Sequence, residues 1–167
     1  MSEEPLRPIP DRDEPLSADL RSSFVELYQS QFAPMVRLAV ALTGSEPAAE
    51  DIVHDAFVRV HAHWRRVERP NAYLRTAVVN ACRSAARRAA RERIIVSGQT
   101  ADVVTLRADE MFDALATLPY RQRAALVLHY YEGLTHVEIA EILRCREGTV
   151  ASLIHRGLAQ LKRVIER

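Results

Sequence analysis

The stretch spanning residues 132–163 constrains this chain most, because it predicts two helices joined by a tight turn. Thr135 followed by Glu138 has the spacing of a capping box, so a helix should begin at Thr135 and run to about Leu143. The polar segment 144–148 predicts the turn, and a longer helix should follow it. This layout is typical of a helix-turn-helix.

The longer helix has two different faces when its residues are placed at roughly 100° intervals. The apolar side contains Val150, Ile154, Gly157, Leu158, Leu161 and Ile165, and the opposite side contains Ser152, His155, Arg156, Ala159 and Arg163. A helix that reads the major groove of DNA needs such a division. An ordinary antiparallel helix pair with a solvated outer face has the same pattern, so the pattern alone leaves both interpretations open.

Charge is distributed unevenly along the chain, although the formal net charge is only +1. Residues 59–93 contain ten arginines against Glu68 and Glu92, a net charge of +8, whereas residues 24–58 contain Arg37 against five acids, a net charge of −4. A strongly basic block beside an acidic one indicates a polyanionic partner better than the overall charge does.

Several classes of protein are disfavoured by the motifs that the chain lacks. No apolar run approaches the roughly 20 residues that span a bilayer, and no signal peptide is evident, so we expect a cytoplasmic protein without membrane insertion. Cys82 and Cys145 are far apart and form no CxxC pair, which predicts free core thiols. Without an HExxH, nucleophile or phosphate-loop motif, we expect no enzymatic activity, metal or cofactor.

Apolar residues recur at helical spacing through most of the chain, and no strand-period segment of any length occurs. We therefore predict an all-α fold of two small helical domains joined by a flexible linker, with the helix-turn-helix in the C-terminal domain. Pro34 should open a second helix or kink a long one, and Pro119 should begin a helix that reaches Glu132. The expected boundaries are a disordered leader at 1–22, a first domain at 23–93, a linker at 94–107 and a second domain at 108–167.

The helix expected between Ala49 and Trp64 has an acidic face opposite its buried one. That face consists of Asp51, His54, Asp55 and Val58. It is suited to docking on a basic partner helix, but a solvated acidic face is the commoner reason for such a pattern.

The next helix, expected over residues 72–93, has a basic stripe. The stripe contains Thr76, Asn80, Arg83, Arg87 and Arg91, and it is widened by Arg88 and Arg93. No acids on the same helix match this spacing, so the guanidinium groups are better suited to phosphate contacts than to internal ion pairs. Trp64, Arg65, Arg66 and Asn71 gather where the chain enters this helix and could stack an unpaired base, although core packing is the favoured role for Trp64.

Together the two halves resemble the extracytoplasmic-function sigma factors, which contain only sigma regions 2 and 4, and the resemblance covers residues 24–167. Residues 49–57 read AEDIVHDAF, similar to the AEDxxQExF of region 2. Residues 118–123 resemble the LPxxxR start of region 4, and residues 148–156 resemble its GTVxSRxHR recognition helix. The joint occurrence of these motifs in order is far more specific than any one of them.

The resemblance implies a bacterial transcription initiation factor with core RNA polymerase and promoter DNA as partners, and an anti-sigma factor as a further candidate partner. It implies core-polymerase binding by Asp51, His54, Asp55 and Val58. It implies contacts with the minus-10 element, including capture of a flipped base, by Trp64, Arg65, Arg66, Asn71, Thr76, Asn80, Arg83, Arg87 and Arg88. It implies minus-35 contacts by Arg144, Arg146, Thr149, Ser152, His155, Arg156 and Arg163.

The chain departs from the family pattern in two places. His54 stands where Gln is usual, which makes core affinity sensitive to its protonation at roughly pH 6 to 7. Recognition-helix positions that are often arginine are occupied by Ala151, Leu153 and Leu158. We therefore expect a weak or unusual minus-35 contact, partly compensated by Arg144, Arg146 and Lys162.

Two other classes of function stay open. The helix-turn-helix could belong to a repressor or activator that never joins polymerase, although the acidic face beside the basic stripe argues against this class. Alternatively, the chain could be a sigma-derived interaction subunit that titrates an anti-sigma factor and reads DNA poorly. The absence of arginine from three recognition-helix positions is consistent with this alternative.

Overall fold

The computed structural model describes residues 18–95 and 110–166, and within these ranges the chain is helical, with no strand. The helices are α1 (Ala18–Thr43), α2 (Glu46–Ala62), α3 (Pro70–Ile95), α4 (Glu110–Ala116), α5 (Tyr120–Leu126), α6 (His136–Leu143) and α7 (Glu147–Ile165). A short 3-10 turn, Trp64–Arg66, lies between α2 and α3, and a π-helical turn, Val127–Tyr131, continues α5. The fold is therefore all-α, as predicted.

Helices α1, α2 and α3 pack against one another as the N-terminal domain. Gly44, with a positive φ of 73°, ends α1, and its amide donates to the carbonyl of Val40 at 2.7 Å. The Ser45 hydroxyl then accepts from the Ala48 amide and caps α2. Fully buried side chains from the three helices meet in the core; the largest are Leu38, Leu42, Val53, Val60, Leu74, Val78, Val79 and Cys82.

The N-terminal helices differ from the predicted boundaries at several points. Helix α1 begins at Ala18, inside the segment expected to be a leader, and continues through Pro34. The proline removes one helical hydrogen bond, but Leu27 and Met35 are buried on either side of it and hold the helix on α2 and α3. Helix α3 begins at Pro70 rather than residue 72, and most of the expected linker, 96–107, lies outside the described residues.

The C-terminal domain contains the predicted helix-turn-helix. The capping box is complete, since the Thr135 hydroxyl accepts from the Glu138 amide and the Glu138 carboxylate accepts from the Thr135 amide at 2.8 Å. Arg144 ends α6 in the left-handed conformation, with a φ of 50°. The turn is shorter than predicted, because α7 already begins at Glu147.

The single helix predicted from Pro119 to Glu132 is found over residues 120–131, but its second half has π-helical rather than α-helical hydrogen bonds. Helix α5 ends at Leu126, and the wider π-helical turn follows, closed by the Glu132 amide donating to the Val127 carbonyl. A π-helical turn inserts one residue and so rotates the side chains that follow it. Sequence periodicity of 3.6 residues does not report such an insertion.

The two domains share one continuous group of buried residues, which extends from Leu27 in α1 to Leu161 in α7. Helix α1 contacts α4 and α5, while α3 contacts α5 and α6. Among the described residues no helix is long and apolar enough to cross a membrane. The contact between the domains, absent from the sequence-based prediction, positions the candidate functional surfaces relative to one another.

Candidate nucleic-acid interface

The acidic face of α2 points away from the core. Asp51, His54, Asp55 and Val58 are all exposed, and Val58 is 62% exposed although its side chain is apolar. The opposite side of α2 is buried against α1 and α3 through Val53, Ala56, Phe57 and Val60. Its exposed face therefore combines negative charge with an apolar position, as a docking surface for a basic helix would.

His54 lies at the edge of an aromatic cluster formed by α1 and α2. Its ring meets Tyr28 and Phe32 edge-on, with ring centroids 6.4 and 6.3 Å apart. Phe57 packs beneath, with its ring centroid 4.8 Å from that of Tyr28. These rings orient the exposed imidazole and place it beside the two carboxylates.

The basic stripe of α3 is arranged around Asn80. Arg83 donates through Nη2 to Asn80 Oδ1 at 2.9 Å, and both side chains are half-buried. Thr76, one turn earlier, donates its hydroxyl to the Ala72 carbonyl. Among the described residues no group accepts a hydrogen bond from the Asn80 side-chain NH₂, so its two donors are suited to a base edge.

The arginines beyond Asn80 are open to solvent. Arg87, Arg88 and Arg91 are exposed, and within the described ranges no carboxylate forms an ion pair with them. The side chain of Arg93 lies outside the described set. Arg65 and Arg66 are exposed on the 3-10 turn that precedes α3. Exposed positive charge therefore lies on the turn before α3 and along α3 itself, where it could contact DNA phosphates.

Trp64, one of the candidate base-stacking residues, lies in the core and is only 8% exposed. Its ring packs edge-on against Phe24 at a centroid separation of 5.3 Å. It could stack a DNA base only by leaving that contact, so the structure gives it the core-packing role that the sequence favoured. The exposed Asn71 nearby remains available to nucleic acid.

The recognition helix α7 presents its polar residues outward. Ser152, His155, Arg156 and Arg163 are exposed, while Thr149 is half-buried. Arg156 donates through Nε to the Ser152 carbonyl at 3.2 Å. Arg144 and Arg146 are exposed in the turn before α7. The candidate minus-35 residues are thus mostly exposed; all but Arg163, which is in the last turn of α7, lie in the turn before α7 or in its N-terminal half.

The three recognition-helix positions that are often arginine in the family differ in exposure. Leu153 is buried, at 7% exposure, so an apolar residue at this position is required by packing rather than being a lost DNA contact. Leu158 is 42% exposed but lines a cavity against α1. Ile165, predicted on the apolar side, is 62% exposed. Ala151 is exposed and lies outside the core, so the expectation of a reduced minus-35 contact rests chiefly on this position.

Two residues of α5 that the sequence did not single out connect the domains. The Tyr120 hydroxyl donates to the Val79 carbonyl at 2.7 Å, and Arg123 donates through Nη1 to the Leu42 carbonyl at 3.0 Å. Burial raises the pKa of Tyr120 and lowers that of Arg123. The LPxxxR motif contains both residues, but only the tertiary structure supplies their acceptors.

Comparison with known proteins agrees with this architecture. The model for Sigma-70 region 2 matches residues 27–92, and the model for Sigma-70 region 4 matches residues 108–161. The ECF RNA polymerase sigma factor SigL of Mycobacterium tuberculosis is 32% identical over 155 residues, covering 84% of this chain and 87% of SigL. The chain belongs to the extracytoplasmic-function (ECF) sigma factors. It is therefore a transcription initiation factor, and sigma factors are regulatory subunits rather than enzymes.

Other ECF sigma factors and solved structures show similar relationships. RNA polymerase sigma-E factor of Streptomyces coelicolor is 28% identical over 148 residues, covering 83% of this chain and 84% of its own. The sigma factor RpoE of Bartonella quintana, solved with the anti-sigma factor NepR, has a TM-score of 0.73 at 24% identity, covering 87% of this chain and 98% of RpoE. The structural likeness supports the fold of this ECF sigma factor.

Proposed function

We propose that this ECF sigma factor docks on core RNA polymerase through α2, reads a minus-35 element with α7 and helps to melt a minus-10 element with α3. The observation that carries the proposal is the separation of charge. Asp51 and Asp55 face solvent on α2, whereas Asn80 and the exposed arginines follow one face of α3. An acidic docking surface and a basic DNA surface on one small domain suit a subunit that bridges polymerase and promoter.

Melting in this proposal depends on the local chemistry of α3. A flipped base exposes hydrogen-bonding groups that the duplex hides, at a cost of a few kcal/mol. The free Asn80 donors can bind such a base, and Arg87 and Arg88 can hold the adjoining phosphates. The domain then offsets the cost of flipping by contacts available only with the open strand.

Minus-35 recognition is assigned to the exposed face of α7. His155 and Ser152 can contact base edges, while Arg144, Arg146, Arg156 and Arg163 surround them with positive charge. With Ala151 at an exposed position, we expect fewer base contacts than a recognition helix with arginine there would make. An anti-sigma factor is a further proposed partner, supported by the structural likeness to RpoE, which was solved with NepR.

Transcription start mapping tests the proposal as a whole. Purified protein is mixed with sigma-free bacterial core polymerase and fragmented genomic DNA at fixed, moderate salt, and transcript starts are compared with those from core alone. We expect new starts that share upstream minus-35 and minus-10 sequences. If no new starts appear although the protein binds specific DNA, a stand-alone regulator is favoured instead.

The docking assignment has its own test. Asp51→Arg with Asp55→Arg should abolish binding to core polymerase, because both exposed carboxylates are replaced by repelling charges. Asp113→Arg with Glu141→Arg is the matched control, since both are exposed acids of the C-terminal domain and the change in net charge is the same. Equal loss of core binding in both double variants would contradict a docking role specific to α2.

A further inference from the structure

Two histidine rings of the C-terminal domain lie close together where the helix-turn-helix begins. His129 is in the π-helical turn, and His136 is the first residue of α6. Their ring centroids are 5.2 Å apart, the ring planes are inclined at 52°, and both residues are half-buried. We call these two residues the histidine pair.

The backbone brings the histidine pair together although its members are seven positions apart in the chain. In a continuous α-helix, residues at this spacing lie about 10.5 Å apart along the axis, since each residue adds about 1.5 Å. Here the helix ends at the π-helical turn, Gly133 follows with a positive φ of 68°, and α6 begins at His136. The chain changes direction between the two rings, which is why sequence spacing predicted no metal site.

The His129 ring is fixed in one tautomer by the backbone. Its Nδ1 lies 3.0 Å from the carbonyl oxygen of Leu134, which can only accept, so Nδ1 carries the proton and donates it. In the neutral ring Nε2 then has a free lone pair, and this is an atom with which imidazole binds metal ions. Metal-binding histidines commonly donate their other ring N–H to a backbone carbonyl in this way.

The segment between the two rings is also fixed. The Leu134 amide donates to the Leu128 carbonyl at 3.0 Å, so Leu134 is bonded to the preceding turn through both of its backbone groups. Thr135, the N-cap of the capping box, then sets the position of His136. Within the described ranges the His136 ring makes no hydrogen bond, so its nitrogens are available. Ligands that are already positioned lose little freedom when an ion binds.

The separation of the two rings suits a shared metal ion. A ring nitrogen lies roughly 2.1 Å from a bound Zn²⁺ and about 1.1 Å from its own ring centroid, so the ion lies about 3.2 Å from each centroid. A tetrahedral angle between the two nitrogens then places the centroids roughly 5.2 Å apart. The histidine pair has this separation.

The surroundings of the histidine pair define the kind of site. Among the described residues no third histidine, cysteine or carboxylate completes a cluster with it. Water would fill the remaining coordination positions, so binding should be reversible rather than that of a closed structural site. The dipole of α6 opposes a cation at His136, and the Glu138 carboxylate in the same first turn offsets this effect.

We infer that the histidine pair binds one first-row divalent transition-metal ion through two imidazole nitrogens. Imidazole ligands suit Zn²⁺, Ni²⁺ and Cu²⁺, whereas Mg²⁺ and Ca²⁺ prefer oxygen. The ion ties the π-helical turn to α6 at the start of the helix-turn-helix. Because the unfolded chain does not hold the two rings together, the ion stabilises the folded C-terminal domain. The inference does not depend on polymerase docking or promoter recognition.

Zinc titration of the tag-free full-length protein tests the inference. All samples carry Cys145→Ser, so that the half-buried thiol cannot bind zinc. At about pH 7.5, where imidazole is mostly neutral, Zn²⁺ is titrated against a competing zinc indicator. We expect one ion per chain, and an affinity about tenfold or more weaker in His136→Gln, because one imidazole alone gives no chelation. Zinc should also raise the Tm of the reference protein but not that of His136→Gln.

His63→Gln is the matched control. The His63 Nδ1 lies 2.9 Å from the Arg59 carbonyl, as that of His129 does from the Leu134 carbonyl, but among the described residues no second imidazole contacts its ring. Zinc affinity should therefore be unchanged in His63→Gln. An equal loss of affinity in both variants would overturn the inference, and so would full affinity in His136→Gln.

Nitrogen NMR of the histidine rings identifies the ligands without any substitution, and so decides the question even if His136→Gln does not fold. Zinc should shift the ring nitrogens of His129 and His136 at one equivalent and leave those of His63 in place. The absence of any shift in the histidine pair at several equivalents would show that these rings do not bind the metal ion.

Discussion

Arg83 donates a hydrogen bond through Nη2 to Asn80 Oδ1 at 2.9 Å, one helical turn away on α3. This bond uses the acceptor of the Asn80 amide and leaves its NH₂ group for another partner. It also holds a guanidinium beside the group that we assign to the flipped base. Base recognition and phosphate contact are thereby placed at one point of the helix.

Replacing both residues should impair promoter melting more than polymerase binding. For Asn80→Ala with Arg83→Ala we expect open-complex formation to fall on the order of tenfold or more, because capture of the flipped base offsets a few kcal/mol and each ~1.4 kcal/mol is tenfold. Permanganate reactivity of unpaired thymines measures the melting. Arg21→Ala, at an exposed position of α1, is the control. Melting at the wild-type level in the double variant would discard the role of Asn80.

Gly157 lies where α7 packs closely on α5. A Cβ atom at this position would lie 2.8 Å from Leu126 Cδ1 and 3.2 Å from Leu126 Cγ. Because the added side chain must displace the buried Leu126, Gly157→Val should destabilise the protein by about 1–3 kcal/mol. Urea unfolding measures the change.

Gly148 provides the matched control for that substitution. It lies in the same helix, and nothing lies within 4 Å of a Cβ atom added there. Gly148→Val should therefore change stability by less than about 0.5 kcal/mol, since valine is no worse than glycine in a helix. Equal destabilisation by the two substitutions would show that close packing on Leu126 is not the cause.

The capping box of α6 should make stability depend on acid pH. The hydrogen bonds that Glu138 accepts from Thr135 hold the pKa of its carboxyl below the usual value. Because the folded pKa is the lower one, the contribution is present above the ordinary glutamate pKa of about 4.3 and is lost as pH falls through the folded value. The difference in Tm between wild type and Glu138→Ala should thus shrink on acidification from pH 7 to 3. A difference that is constant over this range would contradict the assignment.

The two cysteines should differ in reactivity. Burial raises the pKa of the Cys82 thiol to about 12, so almost no thiolate forms at pH 8, whereas Cys145 is only partly buried at the helix-turn-helix turn. Iodoacetamide at pH 8 should alkylate Cys145 in the native protein and reach Cys82 only in denaturant, as intact-mass measurement would record. Rapid native alkylation of Cys82 would mean that the core around α3 opens readily.

Local spacing of residues was enough to predict several features of this protein. Apolar residues at helical intervals predicted the all-α fold, Thr135 and Glu138 predicted the start of α6, and the polar positions of α2 and α3 predicted faces that the structure finds largely exposed. These features need only helix geometry and capping chemistry, which act over a few residues.

The residues that meet across the domains could not be predicted from local spacing. Glu132 pairs with Arg75, 57 residues away, and Arg123 finds its acceptor at Leu42, 81 residues away. The π-helical turn, the burial of Leu153 and the core position of Trp64 likewise depend on packing against other helices. Periodicity shows which side chains share one face of a helix. The partner that each side chain meets depends on how distant helices pack, and local spacing does not predict that packing.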